Sequence, residues 1–258
     1  MASFYPLFEA AERVGGNRVE VGSLVPPGIE PHDVELTSRD ADALLDADMV
    51  LFVGGGFQPA VEEFVASRDG GSLDVLGVSR HGPGVDLHVW LDPVMMKAIV
   101  ERIAAAFSEA DPPGSTVYAA NARDYGAEIA RLHQDYRDGL ARCDRRLIVA
   151  THAAFGHLAA RYGLQQEAIL GSAPEGEPDP RRFADLADLM RRGGVTTIFT
   201  EPLMDSDAAA TLARETGAGT AVLNPLEGLT EEQAARGETY VSVMHRNLEV
   251  LRAALGCR

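Results

Sequence analysis

The feature that most constrains this fold is a long polar stretch, Ser115–Arg142, whose only breakers are Gly126 and Gly139. Within it Tyr118, Tyr125, Ile129, Leu132, Tyr136 and Leu140 recur near helical spacing. At 1.5 Å of rise per residue, an unbroken helix here would span about 42 Å, longer than one small domain. The stretch therefore predicts a single rigid helix over residues 115–142, joining an N-terminal lobe (1–114) to a C-terminal lobe (143–258). A pair of ordinary helices with a kink is the alternative.

On both sides of that stretch, strand and helix signals alternate. In the first half Arg18–Val25 alternates toward a strand. Thr37–Ala47 reads as a helix with Thr37 as N-cap and Asp40 completing a capping box, and Met49–Val53 as a strand buried on both faces. Pro59–Ala66 reads as helical and Asp74–Val78 as extended, and Asp92-Pro93 opens a helix running to about Ser108. In the second half, strands are expected at Leu147–Ala150, Gln165–Leu170, Thr196–Thr200 and Thr220–Leu223. Helices are expected at Phe155–Tyr162, Pro180–Arg192 (stopped by Gly193-Gly194), Ser206–Thr216 and Tyr240–Leu255. This order predicts an α/β protein of two lobes, each a mainly parallel sheet flanked by helices.

A chain of 258 residues can bury a substantial core. Its formal charge of −16 argues against nucleic acid, whose phosphates it would repel. No apolar run approaches the roughly 20 residues of a membrane span. Met1–Leu7 has no basic region, apolar region or cleavage site, so either the protein is cytoplasmic or a signal segment has been removed. Gly54-Gly55-Gly56 follows an apolar run, but Pro59 stands where a dinucleotide fingerprint needs its third glycine. A tight turn is the better reading.

Three histidines sit in short junctions: Pro31-His32-Asp33, Leu87-His88-Val89 and Thr151-His152-Ala153. Ligands of open α/β sheets bind beyond the carboxyl ends of the strands, where His32 and His152 would follow strands and His88 would precede the Asp92-capped helix. Three imidazoles gathered by folding suit a divalent first-row metal, zinc above all. His81, His133, His157 and His245 lie in a Gly-rich loop or on helices and are weaker candidates.

In one order the chain carries Tyr5-Pro6-Leu7, Leu24-Val25-Pro26-Pro27-Gly28, Pro31-His32-Asp33, His88-Val89-Trp90-Leu91-Asp92-Pro93, Thr151-His152-Ala153-Ala154-Phe155-Gly156, Thr200-Glu201-Pro202 and Leu226-Glu227-Gly228. In this it resembles, over nearly its whole length, the ZnuA/TroA-like solute-binding proteins of ABC importers for zinc and manganese. The resemblance implies two α/β lobes joined by a backbone helix, with one metal between them held by His32, His88 and His152. It implies an extracytoplasmic monomer, periplasmic or at the cell surface, that delivers the ion to a membrane permease. The family often supplies a fourth ligand as an aspartate just before Pro-Leu. Here that position is Asn224, a neutral amide that would coordinate weakly or hold a water. The segment Arg68–Asp86, His-rich in many zinc members, is short and holds His81 alone.

Three imidazoles without a matched carboxylate favour zinc over manganese, which prefers oxygen-rich sites. A manganese carrier of the same family is the nearest alternative. A different class, a zinc hydrolase or hydratase with three histidines and an open fourth position, would need a positioned acid or base such as Glu201, Glu30 or Asp33. The resemblance instead makes Glu201 structural, or a support behind a ligand. Cys143 precedes an apolar strand and Cys257 is the penultimate residue. A bridge between them would pin the last helix to the second lobe and would fit export to an oxidising compartment.

Overall fold

The computed structural model describes residues 1–32, 34–78, 86–171 and 179–258. In chain order the elements are α1 (Tyr5–Gly15), α2 (Ser38–Asp46), β1 (Met49–Phe52), α3 (Pro59–Ser67), β2 (Gly71–Asp74), α4 (Pro93–Ala110), α5 (Ser115–Gly139), β3 (Leu147–Ala150) and α6 (Gly156–Tyr162). They continue with β4 (Gln165–Ala168), α7 (Pro180–Gly193), β5 (Thr197–Thr200), α8 (Asp207–Thr216), β6 (Gly219–Val222), α9 (Glu231–Ala235) and α10 (Tyr240–Leu255). No described helix is long and apolar enough to cross a membrane. The chain divides into two compact units, residues 1–131 with 226–240, and residues 132–225 with 241–258. The continuous helix α5 contributes to both and ends at Gly139, three residues before the expected limit.

In the first unit β1 and β2 pair in parallel, Met49 opposite Gly71. The first residues extend this sheet: Leu51 N–H donates to the Met1 carbonyl at 2.9 Å, and Ala2 bridges both Leu51 and Ser23. That arrangement corrects the strand expected at Arg18–Val25. Gly16–Arg18 is a 3₁₀ turn, and the partner offered by Met1–Ser3 is too short to pair with more than Ser23. Of the extended segment expected at Asp74–Val78, only Asp74 lies in a strand, as the last residue of β2. Asp74 Oδ1 accepts from Gly54 N–H (3.0 Å) and Leu76 N–H (2.8 Å), which turns the chain into a 3₁₀ segment at Val75–Val78.

Local signals explain the helices of this unit. Thr37 and Asp40 form a reciprocal capping box on α2, and Asp92 Oδ1 accepts from Val94 N–H at 2.9 Å to cap α4. The short helix α9 has its own box, Thr230 with Gln233. In the core Phe4 and Phe57 each meet Trp90 edge to face and lie tilted against one another, with centroids 4.7–5.1 Å apart. The buried Glu9 carboxylate accepts from Tyr125 Oη (3.1 Å) and Tyr240 N–H (2.6 Å), and Tyr240 Oη donates to the Trp90 carbonyl at 2.7 Å. These bonds fasten the returning segment 226–240 onto α1, α5 and the Trp90 turn.

The second unit holds a parallel sheet in the order β4-β3-β5-β6. Its apolar core includes Val149 and Ile198 from the central strands, packed with Leu186, Met190 and Leu212 from α7 and α8. Gly194, at φ 62°, stops α7 in a left-handed conformation that a side chain would strain. A Cys143–Cys257 disulfide closes the unit, with Arg145 N–H donating to the Leu255 carbonyl at 3.0 Å beside it. Both sheets are parallel and flanked by helices, as expected of the α/β class.

Candidate metal centre

His88 stands at the entrance to the 3₁₀ turn Val89–Leu91, just before the Asp92-Pro93 start of α4. The fully buried Trp90 anchors this turn, so its position is set by packing. Asp86 Oδ1 accepts from the His88 backbone N–H at 2.9 Å and lies 2.6 Å from Nδ1 of the same residue. That double contact fixes the ring and turns Nε2 toward Glu227, whose Oε1 is 2.8 Å away. The same oxygen lies 3.3 Å from His32 Nε2.

Two imidazole nitrogens thus converge on one carboxylate oxygen, with side-chain exposures of 8% for His32 and 1% for both His88 and Glu227. Ligands on a tetrahedral zinc at 2.0–2.1 Å lie about 3.3–3.4 Å apart, so the first unit already holds three donors near coordination spacing. The loop bearing His32 is tied to the segment bearing Glu227 by Gly28 N–H donating to the Leu229 carbonyl at 2.8 Å. Leu226, immediately before Glu227, has φ 56°, a left-handed conformation that costs a branched side chain about 1–3 kcal/mol. The strain sits where a buried carboxylate must be aimed.

Burial lowers the pKa of His88, but the bonds to Asp86 and Glu227 outweigh it and push the imidazole up to about 9. At neutral pH the ring is therefore an imidazolium clamped between two carboxylates. A proton between His88 Nε2 and Glu227 Oε1 occupies the place a divalent cation would take.

In the second unit His152 follows β3 and is fully buried. Thr151 N–H donates to the Phe199 carbonyl at 3.0 Å, which holds the end of β3 against β5. Glu201, just beyond β5, accepts from His152 N–H through Oε1 at 3.2 Å and approaches Nδ1 through Oε2 at 2.7 Å. Glu201 thus holds the His152 backbone through one oxygen and sets the other beside the inner ring nitrogen. Asn224, two residues past β6, is also buried. Its N–H donates to Asn247 Oδ1 (2.9 Å) and its carbonyl accepts from Asn247 Nδ2 (2.7 Å), which fixes its backbone to α10.

Among the described residues, two other histidines lie elsewhere: His133 Nδ1 is 3.0 Å from Tyr162 Oη, and the half-exposed His245 is 3.8 Å from Asp135. His157 lies on α6, while His81 and Asp33 fall outside the described residues. Sequence reasoning passed over Glu227 as a metal ligand. Its signal was a lone acid in the apolar run Leu226-Glu227-Gly228-Leu229, since a carboxylate among apolar neighbours is buried only with a partner.

The zinc-uptake complex component A (periplasmic) family model matches residues 1–254. The chain is 33% identical over 282 residues to a zinc-binding protein, AdcA, of Streptococcus pyogenes, covering 98% of this chain and 55% of that protein. It thus spans about half the length of that relative. It is 32% identical to the high-affinity zinc uptake system protein ZnuA of Bacillus subtilis, covering 99% of this chain and 86% of the other. Among solved structures, the Zn(II)-bound ZnuA-like domain of Streptococcus pneumoniae AdcA superposes with a TM-score of 0.86 at 33% identity, covering 98% of this chain and 97% of that domain.

Proposed function

Because the chain belongs to the family of periplasmic zinc-uptake component A, we propose that it captures zinc outside the cytoplasm and passes it to the membrane permease of an ABC importer. The observation that carries this reading is Glu227 Oε1 facing both His32 Nε2 and His88 Nε2 in a buried setting. Four side chains would supply one ligand atom each: His32, His88, His152 and Glu227. Glu201 Oε2 lies beside Nδ1 of His152, which supports Nε2 as the nitrogen offered to the metal, as the Asp86 bond to Nδ1 does for His88.

The donor set supports the choice of cargo. Three imidazoles with one carboxylate suit zinc, whereas manganese favours more oxygen. Four protein donors also fill a tetrahedral zinc, and catalytic zinc sites keep one position for water or substrate. That favours a carrier over a hydrolase. The Cys143–Cys257 bridge is consistent with work in an oxidising compartment. The protein is proposed to act as a monomer.

Titration of the metal-free protein with zinc and with manganese tests the reading. One zinc per chain, bound far more tightly than manganese, is expected. Equal or stronger manganese binding would overturn the choice of cargo, and turnover of an ester or carbon dioxide by the zinc-loaded protein would overturn the carrier role.

A further inference from the structure

We infer that Gln58 is the residue that positions His32 for the metal, an inference that rests on the zinc-carrier reading above. Gln58 occupies the N-cap position of α3, where a short polar side chain would accept a helix N–H, yet its side chain makes no cap bond. The side chain turns inward instead, leaving the residue only 2% exposed. Its Nε2 donates to the Pro31 carbonyl at 3.2 Å and approaches the Ser3 carbonyl at 3.5 Å. The Pro31 carbonyl belongs to the peptide whose nitrogen is that of His32, so holding it holds the backbone from which the imidazole extends.

The orientation of the amide follows from these partners, because the reverse orientation would set its oxygen against two carbonyl oxygens. In consequence Gln58 Oε1 is buried with no hydrogen-bond partner among the described residues. A buried acceptor in that state costs stability, and an apolar side chain of similar volume would fill the same space without that cost. Packing alone therefore does not account for glutamine here; the bond to Pro31 does. Its neighbour Phe57 completes the support. The Phe57 ring stands edge-on to His32 at 4.4 Å between centroids and 6.0 Å from His88. Residues 57 and 58 together hold the ring and the backbone of one ligand.

The test compares the parent protein with Gln58→Met and Gln58→Leu in three measurements. These are zinc affinity by chelator competition, the ligand-field absorption of bound cobalt, and thermal unfolding of the metal-free form. A positioning role predicts a 10–100-fold loss of zinc affinity in both variants and a changed cobalt spectrum, with metal-free unfolding unchanged or higher. Parental affinity and spectrum in both variants would overturn it, as would affinity falling only in step with metal-free stability. If the parent itself binds no zinc, the carrier reading fails first and takes this inference with it, an outcome visible without any variant.

Discussion

His88 Nε2 and Glu227 Oε1 lie 2.8 Å apart, though the two residues are separated by 139 positions in the chain. In the metal-free protein this contact is a charge-assisted hydrogen bond, and Asp86 makes a second one on the opposite nitrogen. Under the proposed function, zinc would displace the proton that the pair shares. Its affinity is therefore coupled to an imidazole held at about 9, well above the ordinary value near 6.5.

Zinc binding at pH 7 should release about one proton from His88, and apparent affinity should keep rising until about pH 9. Calorimetry in buffers of different ionisation enthalpy reads the proton count directly. A pH dependence that levels off near 6.5 would contradict the clamp between Asp86 and Glu227.

The same shift makes the stability of the metal-free form depend on pH. A raised folded-state pKa means that the stabilisation is fully present below the unfolded value of about 6.5 and is lost as pH rises through about 9. The melting temperature of the metal-free protein should fall across that window, while the zinc-loaded form, whose His88 is already deprotonated at Nε2, should not follow it. In Glu227→Gln the slope should weaken, because one of the two carboxylates facing His88 is gone.

Side chains at the site should sort by role. Replacing His32, His88 or His152 with Ala should cost at least about 100-fold in zinc affinity, or about 2.7 kcal/mol, and Glu227→Gln should fall in the same class. Asn224→Ala should cost less than about tenfold, because Asn247 holds the backbone of residue 224 rather than its amide side chain. Equilibrium competition with a chelator decides. A loss at Asn224→Ala as large as at His152→Ala would make Asn224 an essential ligand.

The disulfide should stabilise the second unit without entering the metal chemistry. Cys143 and Cys257 are 114 residues apart, for which chain-entropy estimates give about 4–5 kcal/mol, and measured losses run about 2–5 kcal/mol. The double variant Cys143→Ser, Cys257→Ser should unfold at lower denaturant yet bind zinc as the parent does at 25 °C. Zinc affinity lost along with the bridge would show that the two are coupled.

Much of this architecture was legible because its signals are local. The apolar runs of β1, β3 and β5, the capping residues Thr37 and Asp92, and the glycine stop at Gly194 each act within a few residues of the element they define. The strand expected at Arg18–Val25 failed for the opposite reason: a strand exists only by pairing, and its partner is the short segment Met1–Ser3. His88 stood out because it sits just before an Asp-Pro helix start, a signal confined to a few residues. Glu227 did not, because its role depends on two histidines that approach it only through the folding of segment 226–240 onto α1 and the Trp90 turn. The left-handed backbone at Leu226 that aims it carries no mark in the sequence, since leucine is an unfavourable choice there.

The most direct test of the account is X-ray absorption at the zinc edge of the loaded protein, beside its Glu227→Gln variant. The account predicts four nitrogen or oxygen neighbours at about 2.0–2.1 Å, with the multiple-scattering pattern of three imidazoles, and a changed first shell in the variant. Fewer than three imidazoles, a sulfur neighbour, or a first shell indifferent to Glu227 would contradict it.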